Sequence, residues 1–267
     1  MGTEVTGPDD PRVAAYRHIA DAERLRARGL FVAEGRLVVR RVLEDARFCV
    51  QSVLMNEAAR RDLAAALDLA SPQTKLYVCA ARDFLGITGF DIHRGCLALV
   101  VRPPVCSLEE VVVSATRIVV LEDVANPDNV GGVFRNAAAL GAGAVLLGPS
   151  CCDPLYRKAI RTSMGAVLKV PFARADDWPA DLMRLRAAGF AIAALTPREP
   201  SESLDAFADR VRDSHIALVA GNEGAGLTPA VEAAADHRVR IPIRDGVDSL
   251  NVAVAVAIAL HRLGGTV

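Results

Sequence analysis

Three segments in the second half of the chain combine glycines with polar side chains, and each follows an apolar run typical of a buried strand. The first, residues 126–137, follows the run 118–121 and carries Asn129 and Arg135. A helix N-terminus attracts anions, and arginine can grip a phosphate with two N–H groups, so this segment predicts a phosphate contact. We expect Asn129 to be the N-cap and Val130 the first helical residue. A capped helix with a surface arginine accounts for the same pattern.

The second segment, residues 221–229, reads Gly-Asn-Glu-Gly-Ala-Gly-Leu-Thr-Pro and follows the run 216–220. Three glycines in six residues indicate a close approach of the backbone to a ligand. Gly221 and Gly226 have Walker spacing, but Leu227 stands where that loop needs lysine. The dinucleotide pattern G-x-G-x-x-G also fails, both here and at Gly141. A tight strand–turn–helix corner is the alternative interpretation.

The third segment, residues 241–254, is a polar loop between a strand and an apolar helix that ends near Leu263. We expect Ser249 to be the N-cap of this helix and Asn251 to lie in its first turn, where its side chain can reach a ligand. An ordinary capped core helix gives the same pattern. In an open α/β sheet, ligands bind at the carboxyl ends of the strands. That rule predicts that the three segments meet at one edge of a sheet.

The elements that must position these segments are short apolar strands alternating with helices. In the second half they are predicted at residues 118–121, 144–147, 168–171, 191–195, 216–220 and 239–241. Such runs indicate a parallel sheet covered on both faces. The first hundred residues predict a smaller α/β unit, with helices at 11–28 and 57–69 and strands at 49–55, 75–79 and 96–101.

Four sections follow from this pattern. Residues 1–11, rich in Gly, Pro and Asp, are expected to be a flexible leader, and residues 12–102 the smaller domain. Residues 103–116 begin with two prolines and predict a stiff linker. Residues 117–267 form the larger domain.

Composition limits the classes of partner. The 267 residues carry a net charge of −1 from 31 basic and 32 acidic side chains, so only local patches can bind a polyanion. No apolar run approaches the length of a spanning helix, and the first residues lack the pattern of a signal peptide. Six cysteines without C-x-x-C spacing are interpreted as reduced thiols of a cytoplasmic protein, and no metal site is expected.

Taken together, the three segments resemble the SpoU/TrmH family of the SPOUT superfamily, which are S-adenosylmethionine-dependent RNA ribose 2'-O-methyltransferases. The first segment is similar to the family motif N-x-G-x-x-x-R-x-A, the second to G-N-E-G-x-G-L and the third to I-P-x(6)-S-L-N-V. Residues 161–166 also resemble the family run R-x-S-x-G-A. Two positions depart from the family pattern, Asp245 for a usual Gly and Ala253 for a frequent Ser, and both are expected beside the cofactor pocket.

The resemblance implies a knotted SPOUT-type parallel-sheet domain at the C-terminus, a homodimer and S-adenosylmethionine as cofactor. Arg135 would activate the ribose hydroxyl and hold a neighbouring phosphate, and Asn129 would orient Arg135 or the ribose. Further residues implied near the reacting centre are Glu223, Ser249 and Asn251. Residues implied to hold the cofactor are Leu195, Thr196, Ala220, Gly221, Ile241, Leu250 and Asn251.

The smaller domain also fits this family, because residues 31–35, Phe-Val-Ala-Glu-Gly, resemble the F-x-x-E-G run of its ribosomal-protein-like substrate-binding domain. This implies RNA binding, with ribosomal RNA favoured over transfer RNA. Candidate phosphate contacts are Arg24, Arg28, Arg36, Arg157 and Arg161. Solvated helical faces explain these arginines equally well.

Three other functions remain open at this point. The chain could be a non-catalytic RNA-binding protein of the same fold, although it retains Arg135, Glu223, Ser249 and Asn251. It could methylate a base, which the N-x-G-x-x-x-R pattern disfavours. A nucleotide-dependent oxidoreductase is disfavoured by the failed glycine patterns.

Overall fold

The computed structural model describes residues 2–90, 92, 95–212 and 214–264. These residues form two compact units. The first consists of the chain up to Pro104 together with Leu155–Gly165, and the second of Val105–Pro154 together with the chain from Ala166 onward.

The described part of the second unit contains a seven-stranded sheet in which every pair of neighbouring strands is parallel. Its strands are β6 (Arg117–Leu121), β7 (Ala144–Leu147), β8 (Phe172–Arg174), β9 (Phe190–Leu195), β10 (Glu202–Ser203), β11 (His215–Ala220) and β12 (His237–Arg240). Their spatial order is β10-β12-β9-β11-β6-β7-β8. The parallel α/β sheet predicted from the apolar runs is therefore confirmed.

The sheet forms because its central strands are apolar on both faces. In β6 the four residues from Ile118 to Leu121 are fully buried, and the same holds for all of β7. Both faces are covered by α6 (Leu108–Ser114), α7 (Pro127–Leu140), α9 (Asp181–Ala187), α10 (Leu204–Arg210), α11 (Pro229–Ala234) and α12 (Val252–Leu263). Burial on both faces is what a parallel sheet requires.

The first unit contains a five-stranded mixed sheet in the order β1-β4-β3-β5-β2. Its strands are β1 (Thr3–Glu4), β2 (Leu30–Glu34), β3 (Val50–Met55), β4 (Lys75–Val78) and β5 (Cys96–Val101). Its helices are α1 (Ala22–Ala27), α2 (Arg36–Glu44), α3 (Glu57–Asp62), α4 (Ala64–Leu67), α5 (Phe84–Thr88) and α8 (Arg157–Thr162). One core cluster buries Tyr16, Leu54 and Leu97 between the sheet and its covering segments.

The first unit differs from the sequence expectations in two places. The expected leader is ordered where it is described, because Thr3–Glu4 pair with β4 and Asp10 accepts hydrogen bonds from Thr6 and Arg12. The single helix expected at residues 11–28 is broken. A 3-10 helix covers Pro11–Tyr16, His18 has a φ of 63°, and Asp21 caps the separate helix α1.

Two further differences concern the second half of the chain. The strand expected at 168–171 is displaced to Phe172–Arg174, and a 3-10 helix occupies Ala166–Leu168. Leu155–Gly165, expected in the larger domain, belongs to the first unit. The physical reason is a nearly buried ion pair of 2.7 Å between Arg157 and Glu34, with the Arg157 guanidinium stacked 3.9 Å from the Phe90 ring centre.

The cysteines are free thiols. Burial raises the pKa of the Cys151 and Cys152 thiols to about 11, and that of Cys79 and Cys96 to about 12. These four thiols therefore stay protonated at neutral pH. Among the described residues, no helix is long and apolar enough to span a membrane.

Candidate active site

A cavity of about 420 Å³ opens where β9, β11 and β12 end in the second unit. Its walls come from the segments that follow these strands. Lining residues include Leu195, Thr196, Arg198, Ala220, Gly221, Glu223, Ile241, Asp248, Ser249, Leu250 and Val252. Six of the seven residues proposed for cofactor binding line it, and the seventh, Asn251, lies between the lining residues Leu250 and Val252. The structure thus brings the second and third segments together at the carboxyl edge of the sheet, where ligands bind in such folds.

The glycine-rich segment is a tight turn held by its own asparagine. The Asn222 side-chain oxygen accepts hydrogen bonds from the backbone N–H groups of Gly224 (2.8 Å) and Ala225 (3.2 Å). The Asn222 amide donates to the carbonyl of Asp123 at 3.1 Å, which ties the turn to the loop after β6. Gly226 closes the turn with a φ of +72°, in the region that glycine adopts without strain.

Gly221 shows why this turn excludes side chains. A Cβ built at this position would lie 2.6 Å from the carbonyl carbon and oxygen of Gly226 and 2.8 Å from the Leu227 nitrogen. These are backbone atoms and cannot rotate away. Glycine is therefore required where the strand β11 leads into the turn, and the cavity wall at this point is bare backbone.

Asn251 joins the third segment to the other two. Its amide donates to the Asn129 side-chain oxygen at 2.9 Å and to the Glu223 carboxylate at 2.5 Å. Its own oxygen accepts from the backbone N–H groups of Ala253 and Val254, so Asn251 is the N-cap of α12. One side chain from each of the three segments thus belongs to a single hydrogen-bonded chain.

Two N-cap predictions were wrong. Helix α7 begins at Pro127 and is capped by Asn126, whose side chain accepts from Asp128 N–H at 2.8 Å. Proline suits the first helical position because it has no N–H to leave unpaired there. Asn129 is consequently inside the helix and buried, where it accepts from Asn251. Ser249 lies in the loop before α12 and lines the cavity instead of capping the helix.

Arg135 lies in the third turn of α7, one turn further along than the expected start at Val130 would place it. Its side chain is exposed and makes no ion pair or hydrogen bond with any residue that the structure describes. A guanidinium in this state can accept an incoming phosphate or hydroxyl without first losing an internal partner. The structure gives no contact between Arg135 and the Asn129–Asn251–Glu223 chain.

Helices α7 and α12 cross closely beside this chain. A Cβ at Gly132 would lie 2.9 Å from the Ala253 Cβ, and the Asn136 amide donates to the Ala253 carbonyl at 2.7 Å. Ala253, one of the two departures from the family pattern, therefore packs against α7 and does not line the cavity. Asp245, the other, lies outside the cavity lining as well, next to Gly246 with a φ of +85°.

Sequence reasoning missed Arg198, a residue outside the glycine-rich turn whose side chain donates hydrogen bonds to the turn. Its guanidinium donates to the carbonyls of Ala225 (2.7 Å) and Leu227 (3.1 Å) and pairs with Glu232 at 3.3 Å. Arg198 is the only cationic side chain among the residues lining the described cavity. It follows β9 without any glycine or helix cap nearby, so no local signal marks it.

Glu122 is a second residue that sequence reasoning missed. It is buried directly after β6 and accepts hydrogen bonds from Thr228 N–H (2.9 Å), the Thr228 hydroxyl (2.8 Å) and the Trp178 indole (2.9 Å). Thr228 caps α11 immediately after the glycine-rich turn. The carboxylate therefore anchors the far end of the segment that Asn222 and Arg198 shape.

The five arginines proposed to bind RNA all belong to the first unit. They differ in how far their guanidinium groups are exposed and paired within the protein. Arg157 is committed to Glu34 and Phe90, and Arg36 pairs with Asp62. Arg161 is half-exposed and lies 4.0 Å from Glu34. Arg24 is exposed, and Arg28 is exposed with one long hydrogen bond to the Ala15 carbonyl. Arg24, Arg28 and Arg161 are thus the more accessible of the five.

Comparisons with known proteins indicate one family. A family model described as the SpoU rRNA Methylase family matches residues 116–261. An uncharacterized tRNA/rRNA methyltransferase of Mycobacterium bovis is 41% identical, over 97% of this chain and 90% of its own. RlmP of Bacillus subtilis, a 23S rRNA guanosine 2'-O-methyltransferase, is 32% identical over 60% of this chain and 63% of its own.

A solved structure of a methyltransferase also resembles this chain over nearly its full length. The crystal structure of an AdoMet-bound rRNA methyltransferase from Sinorhizobium meliloti superposes with a TM-score of 0.82 at 25% identity. The match covers 98% of this chain and 97% of that one, so it includes both units.

Proposed function

The chain belongs to the SpoU rRNA methylase family, and we propose that it transfers a methyl group from S-adenosylmethionine to a ribose 2'-hydroxyl of ribosomal RNA. The observation that carries this proposal is the meeting of the second and third segments at one cavity, where the Asn251 amide also joins Glu223 to Asn129 of the first segment through hydrogen bonds. Relatives named as ribosomal RNA methyltransferases favour ribosomal over transfer RNA as the substrate.

The cavity fits S-adenosylmethionine in size and chemistry. Pockets of roughly 300–1,000 Å³ hold small ligands, and this one measures about 420 Å³. Bare backbone at Gly221 lets a planar group approach closely, while Leu195, Ile241 and Leu250 offer apolar surface to an adenine. Glu223 and Asp248 give the cavity wall negative charge, which would favour the cationic ammonium and sulfonium groups of the cofactor. When bound, S-adenosylmethionine supplies an electrophilic methyl group.

The protein's own residues would prepare the hydroxyl. Transfer would form the oxygen–carbon bond as the sulfur–carbon bond breaks, leaving S-adenosylhomocysteine and releasing the hydroxyl proton to water. Arg135 is always protonated, so it is a poor base. Its role in this proposal is to lower the pKa of the hydroxyl and to hold a neighbouring phosphate. Asn251 would keep Glu223 and Asn129 in fixed orientations.

A homodimer is part of the proposal. Helix α12 exposes Val254 and Ile258, which lie one turn apart and are 48% and 39% exposed. Exposed apolar side chains on a helix that packs beside the candidate site indicate that a second protein surface covers this face of the helix. Sedimentation of the wild type against a Val254→Glu/Ile258→Glu variant tests this, with a dimer expected only for the wild type. A cytoplasmic location also belongs to the proposal, supported by the free thiols.

The direct test of function is methyl transfer from labelled S-adenosylmethionine to separated ribosomal and transfer RNA, followed by nucleoside mass analysis. A 2'-O-methyl nucleoside formed in the ribosomal pool, and not formed by Arg135→Ala, is the expected result. A methylated base would refute the ribose assignment, and methylation of transfer RNA alone would refute the substrate. Cofactor binding without transfer to any pool would favour a non-catalytic RNA-binding protein.

A further inference from the structure

The first unit contains a second cavity, larger than the one at the candidate active site. It measures about 770 Å³ and lies beside the first residues of β3 and β4, between the end of α2 and the loop before β4. A neighbouring cavity of about 530 Å³ lies beyond it. Both cavities are lined by Lys75, Ser71, Thr74 and Tyr77, so Lys75 stands on the wall that they share.

The charged side chains of the cavity walls differ in whether they have a partner of opposite charge. Arg12 lines both cavities, but its guanidinium donates to both carboxylate oxygens of Asp10. Asp45 is neutralised by Arg47 at 2.6 Å. Lys75 is exposed and has no ion pair with any residue in the described ranges. Among the described residues that line the two cavities, Lys75 is therefore the one cation without an acidic partner.

The walls combine apolar surface with uncommitted amides. Phe48, Leu69 and Leu99 line the larger cavity, and Leu69 is 65% exposed at its edge. The side chains of Gln51 and Gln73 also line it and make no hydrogen bond through their amide groups to another described residue. An amide group offers both a donor and an acceptor, which matches the mixed edges of nucleobases.

We propose that these two cavities bind two successive unstacked nucleotides of the substrate RNA, with Lys75 on the phosphate between them and Gln51 and Gln73 on the edge of one base. Single-stranded RNA is recognised in this way, by splayed bases that insert into pockets and hydrogen-bond along their edges. The inference rests on RNA being the substrate, as proposed above. The proposed nucleotide site includes none of the five candidate phosphate contacts Arg24, Arg28, Arg36, Arg157 and Arg161.

The test measures binding of an unstructured mixed-sequence oligoribonucleotide to the full chain by fluorescence anisotropy at several salt concentrations. Lys75→Glu is expected to weaken binding about tenfold and to reduce the salt slope by about 0.7, the share of one phosphate on a single strand. A Gln51→Ala/Gln73→Ala variant is expected to weaken binding with an unchanged salt slope, because these amides contact bases. Thermal unfolding of each exposed-residue variant checks that the fold is kept.

The matched control is Lys169→Glu, which makes the same charge change at an exposed residue of the second unit. Equal weakening by Lys75→Glu and Lys169→Glu would overturn the proposal, since only net charge would matter. Tight competition by adenosine monophosphate would overturn it too, because the site would then take a free nucleotide.

Failure of this inference is distinguishable from failure of the proposed function. If the wild type methylates RNA and Lys75→Glu leaves the KM for RNA unchanged, the nucleotide site is refuted while the methyltransferase stands. If the wild type methylates no RNA but Lys75→Glu alone lowers oligoribonucleotide binding, the site stands and the proposed function fails.

Discussion

Replacing Arg198 by alanine tests whether the glycine-rich turn must be braced before the cofactor can bind. The substitution removes two hydrogen bonds to the turn, at the carbonyls of Ala225 and Leu227, and one ion pair with Glu232. It leaves the residues that line the rest of the cavity in place. The turn would then rely on Asn222 and Glu122 alone.

The size of the effect follows from the exposure of Arg198. A hydrogen bond from a charged donor contributes roughly 1.5–3 kcal/mol in a protected setting. The Arg198 side chain is 48% exposed, so solvent screening reduces the contribution to about 1 kcal/mol. Because tenfold in affinity corresponds to about 1.4 kcal/mol, the Kd for S-adenosylmethionine should rise about fivefold.

Isothermal titration of S-adenosylmethionine into wild type and variant measures this change directly. Arg238→Ala is the matched control, because Arg238 pairs with the same Glu232 at 3.1 Å but does not line the cavity. Arg198→Lys should recover part of the affinity, since a single ammonium can replace only some of the contacts that the guanidinium makes with Ala225, Leu227 and Glu232. Wild-type affinity in Arg198→Ala, or an equal loss in Arg238→Ala, would refute the reasoning.

Three other outcomes are expected. Arg135→Ala should abolish methyl transfer while titrations show unchanged cofactor binding, because Arg135 is exposed and unpaired among the described residues; lost cofactor binding would contradict its role. Gly221→Ala should lose cofactor binding and lower the melting temperature, since its Cβ would lie 2.6 Å from Gly226 backbone, and a variant that still binds would disprove the clash. Asn251→Ala should cost about 1 kcal/mol of unfolding free energy through the lost helix cap, measured by denaturant unfolding. Asn251→Asp should keep the cap but slow single-turnover methyl transfer at least as much as Asn251→Ala, because a carboxylate cannot donate to Asn129 or Glu223; a wild-type rate in Asn251→Asp would contradict this role.

Local patterns in the sequence were enough to predict the sheet and the two loop segments that form most of the cavity wall. The runs at β6, β7 and β11 are continuously apolar, and only burial on both faces of a parallel sheet accommodates them. Glycines at 221, 224 and 226 predicted a backbone turn, and the structure requires glycine at 221, where a Cβ would clash, and favours it at 226, where φ is +72°. The prediction that the segments after β11 and β12 form one cavity followed from the rule for strand ends.

Helix starts were predicted less well, because several residues near each start can serve as the cap. Asn126 and Asn129 are equally good caps by residue type, and Pro127 decided for the earlier one. Asn251, and not Ser249, is the N-cap of α12, and its amide also donates hydrogen bonds to Asn129 and Glu223. The bond between Asn251 and Asn129 joins positions 122 residues apart, so no local pattern could indicate it.

The sequence by itself determined the parallel α/β sheet and the glycine-rich turn, because periodicity and glycine geometry are local properties, and the family resemblance supplied the cofactor residues that line the cavity. Tertiary structure decided which side chains support the site. Arg198 and Glu122 act on a turn that lies far from them in the chain, and Arg157 is bound to Glu34 instead of being free. Whether a charge is available to a ligand depends on the partner that folding brings to it, and that partner is set by long-range packing.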